Sequence, residues 1–245
     1  MTDPILITGA RGFIGRNLIA RLRTERPEYE LLPFSHGQGL TQLAEQVERC
    51  GFIYHLAGVN PAGDPLKLWP GNRDFTETLL SFIRRSGRKG PIVFCGTTAG
   101  LDSEYGRSKK AAEDLLHDYE RETRTQVHIL RPPTVFGPGG HPPRNGVAIT
   151  FCHQVAHDLP IRIDEPEKEL TLVHIDDLTM ALMDCLVSPP GGKDVQPTYR
   201  ITVGQLVALI RSFRDESLPP LTSGSLAEKL YRTYLSYLPA GSPRR

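Results

Sequence analysis

Tyr105 and Lys109 lie four residues apart in Tyr105-Gly106-Arg107-Ser108-Lys109. On a helix that spacing puts a phenol and an ammonium on one face. A free phenol ionises at about pH 10, too high for efficient proton exchange at neutral pH. A neighbouring positive charge favours the phenolate and lowers that value. Tyr105 is therefore expected to exchange a proton with a substrate oxygen, with Lys109 as its partner, while hydride moves at the adjacent carbon. Lys109 is also placed to hydrogen-bond a nicotinamide ribose. A third group should hold the substrate oxygen. The apolar run Ile92–Cys95 ends in Gly96-Thr97-Thr98. Thr97 is the expected hydroxyl, with Thr98 as the alternative register and otherwise a substrate contact. Surface Tyr–Lys pairs are common on helices. What distinguishes this one is its position, one strand and one loop after His55-Leu56-Ala57-Gly58.

Hydride chemistry needs a dinucleotide, and Gly9-Ala10-Arg11-Gly12-Phe13-Ile14-Gly15 offers a place for one. The glycine pattern alone is weak evidence; directly after a strand and opening a helix it is specific. Gly9 permits the tight turn, Gly12 lets backbone approach a pyrophosphate, and Gly15 lets the helix pack on the strand. The phosphates then meet unpaired N–H groups and the positive end of the helix dipole, with Phe13 and Ile14 among the cofactor contacts. An NAD site usually places an acid about 20 residues further on. Here the second strand ends Pro33-Phe34-Ser35-His36, without one. Arg11 can pair with a 2′-phosphate, and Ser35 and His36 can add hydrogen bonds, so NADP(H) is the expected cofactor. Leu56, Ala57 and Gly58 are expected along the adenosine and nicotinamide ribose, and Pro132 and Pro133 complete the cofactor set.

These residues need a scaffold. Apolar β-branched runs alternate with helical patterns, which predicts an α/β fold: a Rossmann, doubly wound parallel sheet with a small C-terminal substrate-binding lobe. Strands are predicted at Pro4–Thr8, Leu31–Phe34, Phe52–Leu56, Pro91–Cys95, Val127–Arg131 and Leu170–Ile175. Helices are predicted at Ile14–Arg23, Leu40–Arg49, Phe75–Arg85, Tyr105–Thr123, Ile149–His157 and Thr202–Ser212, the last introduced by Thr202. Gly137–Gly146 and Ser188–Pro197 read as Gly/Pro-rich breaks. The expected division gives 1–136 and 172–187 to dinucleotide binding, and 137–171 with 188–245 to the substrate lobe.

Composition sets bounds. The chain has 245 residues, 39% hydrophobic and 23% charged, with a net charge of +1, so nothing points to a nucleic-acid partner. Arg84-Arg85, Arg88-Lys89 and Arg244-Arg245 read as solvated surface. No signal peptide is visible and no apolar run approaches the roughly 20 residues that span a bilayer, so a cytoplasmic protein without membrane insertion is expected. The four cysteines, Cys50, Cys95, Cys152 and Cys185, form no CxxC pair and are expected as reduced, buried thiols.

ITGARGFIG, HLAG, a hydroxyl at the end of the next strand, YGRSK and LRPPTVFGPGG together resemble the extended short-chain dehydrogenase/reductases that modify nucleotide sugars, the NAD-dependent epimerase/dehydratase family. The segments Asn145–Cys152, Glu169–Leu178 and Leu230–Pro239 are similar to one branch, the reductase part of the bacterial capsule enzyme on the UDP-N-acetyl-L-fucosamine route. That resemblance implies NADPH-dependent reduction of the C4 ketone of a UDP-2-acetamido-2,6-dideoxy-4-hexulose, with Tyr105 as proton donor. Such relatives usually continue into a zinc-binding cupin domain that epimerises C3. This sequence stops shortly after SYLP, which implies that the epimerase step comes from another chain, that this is a fragment, or that the substrate differs. Thr97 stands where relatives usually carry Ser, which keeps the chemistry. Thr134 stands where an Asn commonly helps hold nucleotide phosphates. Substrate contacts are expected from Thr134, Val135, His141, Arg144 and Asn145, Arg144 facing a diphosphate. His174, Asp176 and Asp177 are read as a helix start with an N-cap Asp, not as a metal site. Relatives pair through two long helices, here Phe75–Arg85 and Tyr105–Thr123, which implies a homodimer. The competing readings are a redox-neutral 4-epimerase or 4,6-dehydratase, and a non-catalytic dinucleotide sensor. Thr97-Thr98-Ala99 lacks the acid pair of dehydratases, and sensors tend to lose the Tyr/Lys pair that this chain keeps.

Overall fold

The computed structural model of the chain describes residues 2–187, 195–214 and 222–239. It divides into two compact units, Met1–Pro132 with Thr179–Val195, and Pro133–Leu178 with Gln196–Arg245. The expected break at Ser188–Pro197 lies largely outside the described residues, and Arg244 and Arg245 wholly so.

The first unit is built on a parallel sheet of β1 (Ile5–Thr8), β2 (Leu31–Phe34), β3 (Phe52–His55), β4 (Ile92–Cys95) and β5 (Val127–Leu130), in the order β2-β1-β3-β4-β5. Every residue of β1, β3, β4 and β5 is buried. Unbroken apolar runs are what a parallel sheet covered by crossover helices requires. Those helices are α1 (Phe13–Glu25), α2 (Leu40–Arg49), α3 (Phe75–Ser86) and α4 (Glu104–Thr123). Leu43 and Val47 of α2, Leu79, Leu80 and Ile83 of α3, and Leu116 and Tyr119 of α4 share one core with Leu6, Ile53, Phe94 and Ile129 of the sheet. This is the doubly wound Rossmann arrangement, with no outer strand beside β2 among the described residues. Pro33 sits in β2, an edge strand, where a missing N–H costs no ladder bond.

Residue Ile5 aligns with Leu31 on one side and Phe52 on the other, so the winding reverses at β1. Open α/β sheets bind ligands outside the carboxyl ends of the strands at such a reversal. The chain leaves β1 and β3 there, at Gly9 and Leu56. Helix α4 starts after Ser103, whose hydroxyl accepts the Gly106 N–H, and this cap places Tyr105 in the first turn. Ahead of α3 the chain makes a short 3-10 turn at Pro65–Lys67 and a π turn at Pro70–Asp74. Neither had a clear signal in the sequence.

The second unit holds a small sheet of β6 (Thr134–Phe136), β7 (Glu169–His174) and β8 (Tyr199–Thr202), in the order β6-β7-β8. Its helices are α5 (Val147–Ala156), the start of α6 (Ile175–Asp184), α7 (Val203–Ser212) and α8 (Leu226–Leu235). Thr202 caps α7 in a full capping box with Gln205, as its position suggested. Residues 134–136 and 172–174, expected in the dinucleotide-binding unit, belong instead to this second sheet. The cause is local: Pro132-Pro133 offers no N–H to continue β5, and Thr134 pairs with Leu172 instead.

Helix α8 is held by charge. Lys229 Nζ donates to Asp177 Oδ2 at 2.5 Å, and Arg232 donates to Asp176 Oδ2 at 3.1 Å. The Lys229 and Asp177 side chains are only 9% and 8% exposed. Removing one partner of such a pair strands a buried charge. Lys229→Met is expected to lower stability in urea by about 3–5 kcal/mol, and Lys229→Met with Asp177→Leu to recover most of that loss. A single-variant loss below about 1 kcal/mol would show a pair worth no more than a surface one.

Candidate active site

The glycine loop and the HLAG turn are in backbone contact. Gly9 has φ 71°, in the left-handed region, and a Cβ there would lie 2.6 Å from Ala57 N and 2.7 Å from the Leu56 carbonyl. Only glycine fits. A Cβ on Gly15 would lie 2.3 Å from Gly9 O, so helix α1 packs on the turn with no side chain between. Gly12 precedes α1 without any side-chain cap, and its own N–H returns to Gly9 O at 2.9 Å. The first N–H groups of α1, Phe13, Ile14 and Gly15, therefore have no intrahelical partner. The end of β2 pins the loop: Ala10 N donates to Phe34 O at 3.1 Å, and Arg11 N to Ser35 Oγ at 3.0 Å. Ser35 is buried, while the Arg11 and His36 side chains are exposed beside it. A bare backbone cradle at a helix N-terminus suits a dinucleotide pyrophosphate.

The second cluster joins β3, β4 and α4. Lys109 is buried, and its Nζ donates to Cys95 O at 2.5 Å and stands 4.1 Å from the Phe94 ring centroid. It lies 3.7 Å from where a Cβ on Gly58 would be. Thr97 Oγ1 accepts the Ala99 N–H at 3.1 Å, and the Thr97 side chain also hydrogen-bonds the Tyr105 phenol. Tyr105 is half-buried one helical turn before Lys109, and Thr98 is exposed. The structure thus brings Tyr105, Thr97, Lys109 and Gly58 together at the ends of β3 and β4.

The electrostatics differ from the expectation. Burial pushes the Tyr105 phenol up from its ordinary value, the Cys95 thiol adds to this, and the Thr97 hydrogen bond opposes it. The Lys109 ammonium donates to the Cys95 carbonyl. Burial pushes Lys109 down from 10.5 to about 8.

Sequence reading missed two buried residues that organise this cluster. Asn72, in the π turn, donates to Ser108 Oγ at 2.9 Å and to Val59 O at 3.2 Å, and accepts from Val59 N at 2.9 Å. Glu113 receives Arg131 in a bidentate pair, and a Cβ on Gly96 would meet its Oε1 at 2.3 Å. A Pro-Gly-Asn run hints at a turn, but nothing local says that its amide is buried against α4.

In the second unit Thr134 and Val135 lie on β6, and a Cβ on Gly146 would be 3.1 Å from Thr134 Cγ2. His141 N donates to Asn145 Oδ1 at 2.7 Å and Asn145 N returns to His141 O at 3.0 Å, so the Asn145 side chain closes its own loop. Arg144 is exposed; Pro132 ends the first unit and Pro133 opens the second. Asp176 and Asp177 lie inside the first turn of α6 and not at its cap. The side chain that accepts a first-turn N–H is His174, whose Nδ1 receives Asp176 N at 3.2 Å. Among the described residues no group of three or more His, Cys, Asp or Glu gathers as a metal site, and no helix is long and apolar enough to cross a membrane.

The model of the NAD dependent epimerase/dehydratase family matches residues 5–197. The chain belongs to this family. Among family relatives, the UDP-2-acetamido-2,6-beta-L-arabino-hexul-4-ose reductase of Pseudomonas aeruginosa is 40% identical over 245 aligned residues, covering 97% of this chain and 66% of that protein. The crystal structure of the capsular polysaccharide assembling protein CapF from Staphylococcus aureus is similar with a TM-score of 0.87 and 32% identity, over 98% of this chain and 67% of that one. The chain thus spans about two thirds of the length of both. They fall in the branch that its segments resemble. The UDP-glucose 4-epimerase of Thermus thermophilus in complex with NAD, 20% identical with a TM-score of 0.79 over 96% of this chain and 98% of that one, shares the fold.

For this epimerase/dehydratase family member the buried ammonium has a measurable cost. Lys109 ionises at 10.5 when free and at about 8 here, so below pH 8 folding must bury a charge that the unfolded chain keeps hydrated. Lys109→Met is expected to raise stability at pH 7 by on the order of 1–3 kcal/mol. The wild type regains stability as pH climbs from about 8 towards 10.5, so the gap should close over that range. Thermal melts of both proteins across pH 7 to about 10 check this. A gap that widens with pH would contradict it.

Proposed function

We propose that this chain uses NADPH to reduce the C4 ketone of a UDP-2-acetamido-2,6-dideoxy-4-hexulose, with Tyr105 as the proton donor. The observation that carries the reading is the grouping of Tyr105, Thr97 and Lys109 at strand ends beside the bare Gly9–Gly15 cradle. The kinship with a hexul-4-ose reductase supports the substrate class.

A bound nicotinamide would supply hydride to the ketone carbon. The chain's residues do the rest. Burial keeps the Tyr105 phenol protonated at neutral pH, which suits a donor to an oxygen that is gaining charge. Thr97, already hydrogen-bonded to that phenol, is placed to share the same oxygen. Loss of the Tyr105 proton leaves a phenolate, and Lys109, one turn along α4, is the buried cation that balances it. Gly9, Gly12, Phe13, Ile14 and Gly15 hold the pyrophosphate, with Leu56, Ala57, Gly58, Pro132 and Pro133 along the rest of the dinucleotide. Arg11 and His36, exposed beside Ser35, would pair with the 2′-phosphate, and no acid at the end of β2 would oppose it. Thr98, Thr134, Val135, His141, Arg144 and Asn145 are the residues proposed to contact the sugar nucleotide. The same reading places the protein in the cytoplasm, where four buried thiols stay reduced, as a homodimer paired through α3 and α4.

An NADPH-oxidation assay against a panel of UDP-4-ketosugars tests the activity directly. Tyr105→Phe is expected to lower kcat by about 10²–10⁴-fold while leaving NADPH binding near wild type. Unchanged turnover in that variant would remove Tyr105 from the chemistry. The cofactor choice has its own test. Arg11→Glu is expected to weaken NADPH by about tenfold or more and to spare NADH. Tighter binding of NADH than of NADPH by the wild type would overturn the assignment.

A further inference from the structure

A chain of buried hydrogen bonds runs from the HLAG turn to the first turn of α4. Ala57 N donates to Thr8 Oγ1 at 3.2 Å, and Thr8 Oγ1 meets His55 Nδ1 at 2.8 Å. His55 Nε2 meets Thr76 Oγ1 at 2.8 Å, and Thr76 Oγ1 donates to Asn72 O at 2.6 Å. Asn72 Nδ2 donates to Ser108 Oγ at 2.9 Å, and Ser108 Oγ donates to Tyr105 O at 2.9 Å. Thr8, His55, Thr76, Asn72 and Ser108 are all no more than 2% exposed.

Both ends of this chain fix its protons. A hydroxyl has one hydrogen to give, and a carbonyl only accepts. Thr76 gives its hydrogen to the Asn72 carbonyl, so its oxygen must accept from His55 Nε2–H. His55 is then neutral with Nδ1 bare, and Nδ1 accepts the Thr8 hydroxyl hydrogen. Thr8 is left with its oxygen free to accept the Ala57 N–H. The Asn72 amide is oriented in the same way, because Val59 N must donate to Oδ1. Burial, with Lys109 second, pulls His55 down to about 3, so the ring stays neutral wherever the protein works. Only one arrangement of hydrogens satisfies every member, which makes the set rigid.

We propose that His55 and Thr76 are positioning residues, and that their hydrogen bonds hold the dinucleotide-facing Ala57 backbone in register with the helix turn that carries Tyr105. Neither residue reaches the reacting atoms. They act through the Ala57 peptide, which touches Gly9, and through Asn72 and Ser108, which hold the Tyr105 carbonyl. The catalytic part of this inference rests on the proposed reduction; the part that concerns dinucleotide binding does not.

Thr76→Val keeps the shape and deletes the hydroxyl, whereas Thr76→Ser keeps the hydroxyl. Three readouts apply to the full chain: the NADPH dissociation constant by fluorescence titration, kcat and KM for the 4-ketosugar, and the imidazole ¹⁵N spectrum of His55. Thr76→Val is expected to weaken NADPH by about 3–10-fold and to lower kcat by about tenfold with KM for the sugar little changed, while Thr76→Ser stays near wild type. The wild-type spectrum is expected to show the Nε2–H tautomer. A Thr76→Val protein that melts earlier but binds NADPH and turns over like wild type would reduce the relay to a structural role and overturn the proposal. An Nδ1–H tautomer in the wild type would overturn it as well, even if Thr76→Val does not fold. Absence of turnover with every 4-ketosugar would sink the proposed reduction alone, because the NADPH titration and the spectrum still judge the relay.

Discussion

One close approach governs the first unit: the peptide between Leu56 and Ala57 lies where a side chain on Gly9 would have to be. Two parallel strands, β1 and β3, leave the sheet side by side, and their turns touch without intervening side chains. Beside that contact the N-terminus of α1 is bare, because its N-cap Gly12 has no side chain to cap it, and beyond it the chain runs on to Gly58, next to Lys109. The candidate cofactor cradle and the candidate catalytic cluster are therefore two sides of one backbone junction.

The proton chemistry of the cluster is set by exclusion from water more than by charge pairing. Burial moves Tyr105 and Lys109 towards their neutral forms, in opposite directions on the pH scale. The ammonium is accommodated by a carbonyl and an aromatic face, not by a carboxylate in direct contact. A phenol that keeps its proton and a lysine that holds its own only loosely suit a site whose charges balance when a substrate oxygen gains electrons.

Much of this was legible in the sequence, and for identifiable reasons. Strands β1, β3, β4 and β5 announce themselves as apolar runs, because a strand covered on both faces has no polar side to blur the pattern. Their ends shift by a residue: Leu56, expected in a strand, already belongs to the turn. Tyr105 and Lys109 stand out by their place after the HLAG segment as well as by helical spacing, and Thr202 by capping chemistry. What the sequence concealed depends on contacts distant along the chain. Asn72 becomes informative only when the π turn delivers it to Ser108. Strand β6 is a few residues long and follows two prolines, so its allegiance to β7 is decided by pairing and not by pattern. The acidity of the phenol depends on where the lysine points, which spacing alone does not specify.

Gly96, the residue just before Thr97, faces a lodged carboxylate: Glu113 fills the space that any larger side chain would need, and Arg131 clamps it there. That carboxylate turns a flexible residue into a fixed hinge pin. Enlarging position 96 would press on an ion pair shared by α4 and the residue that follows β5.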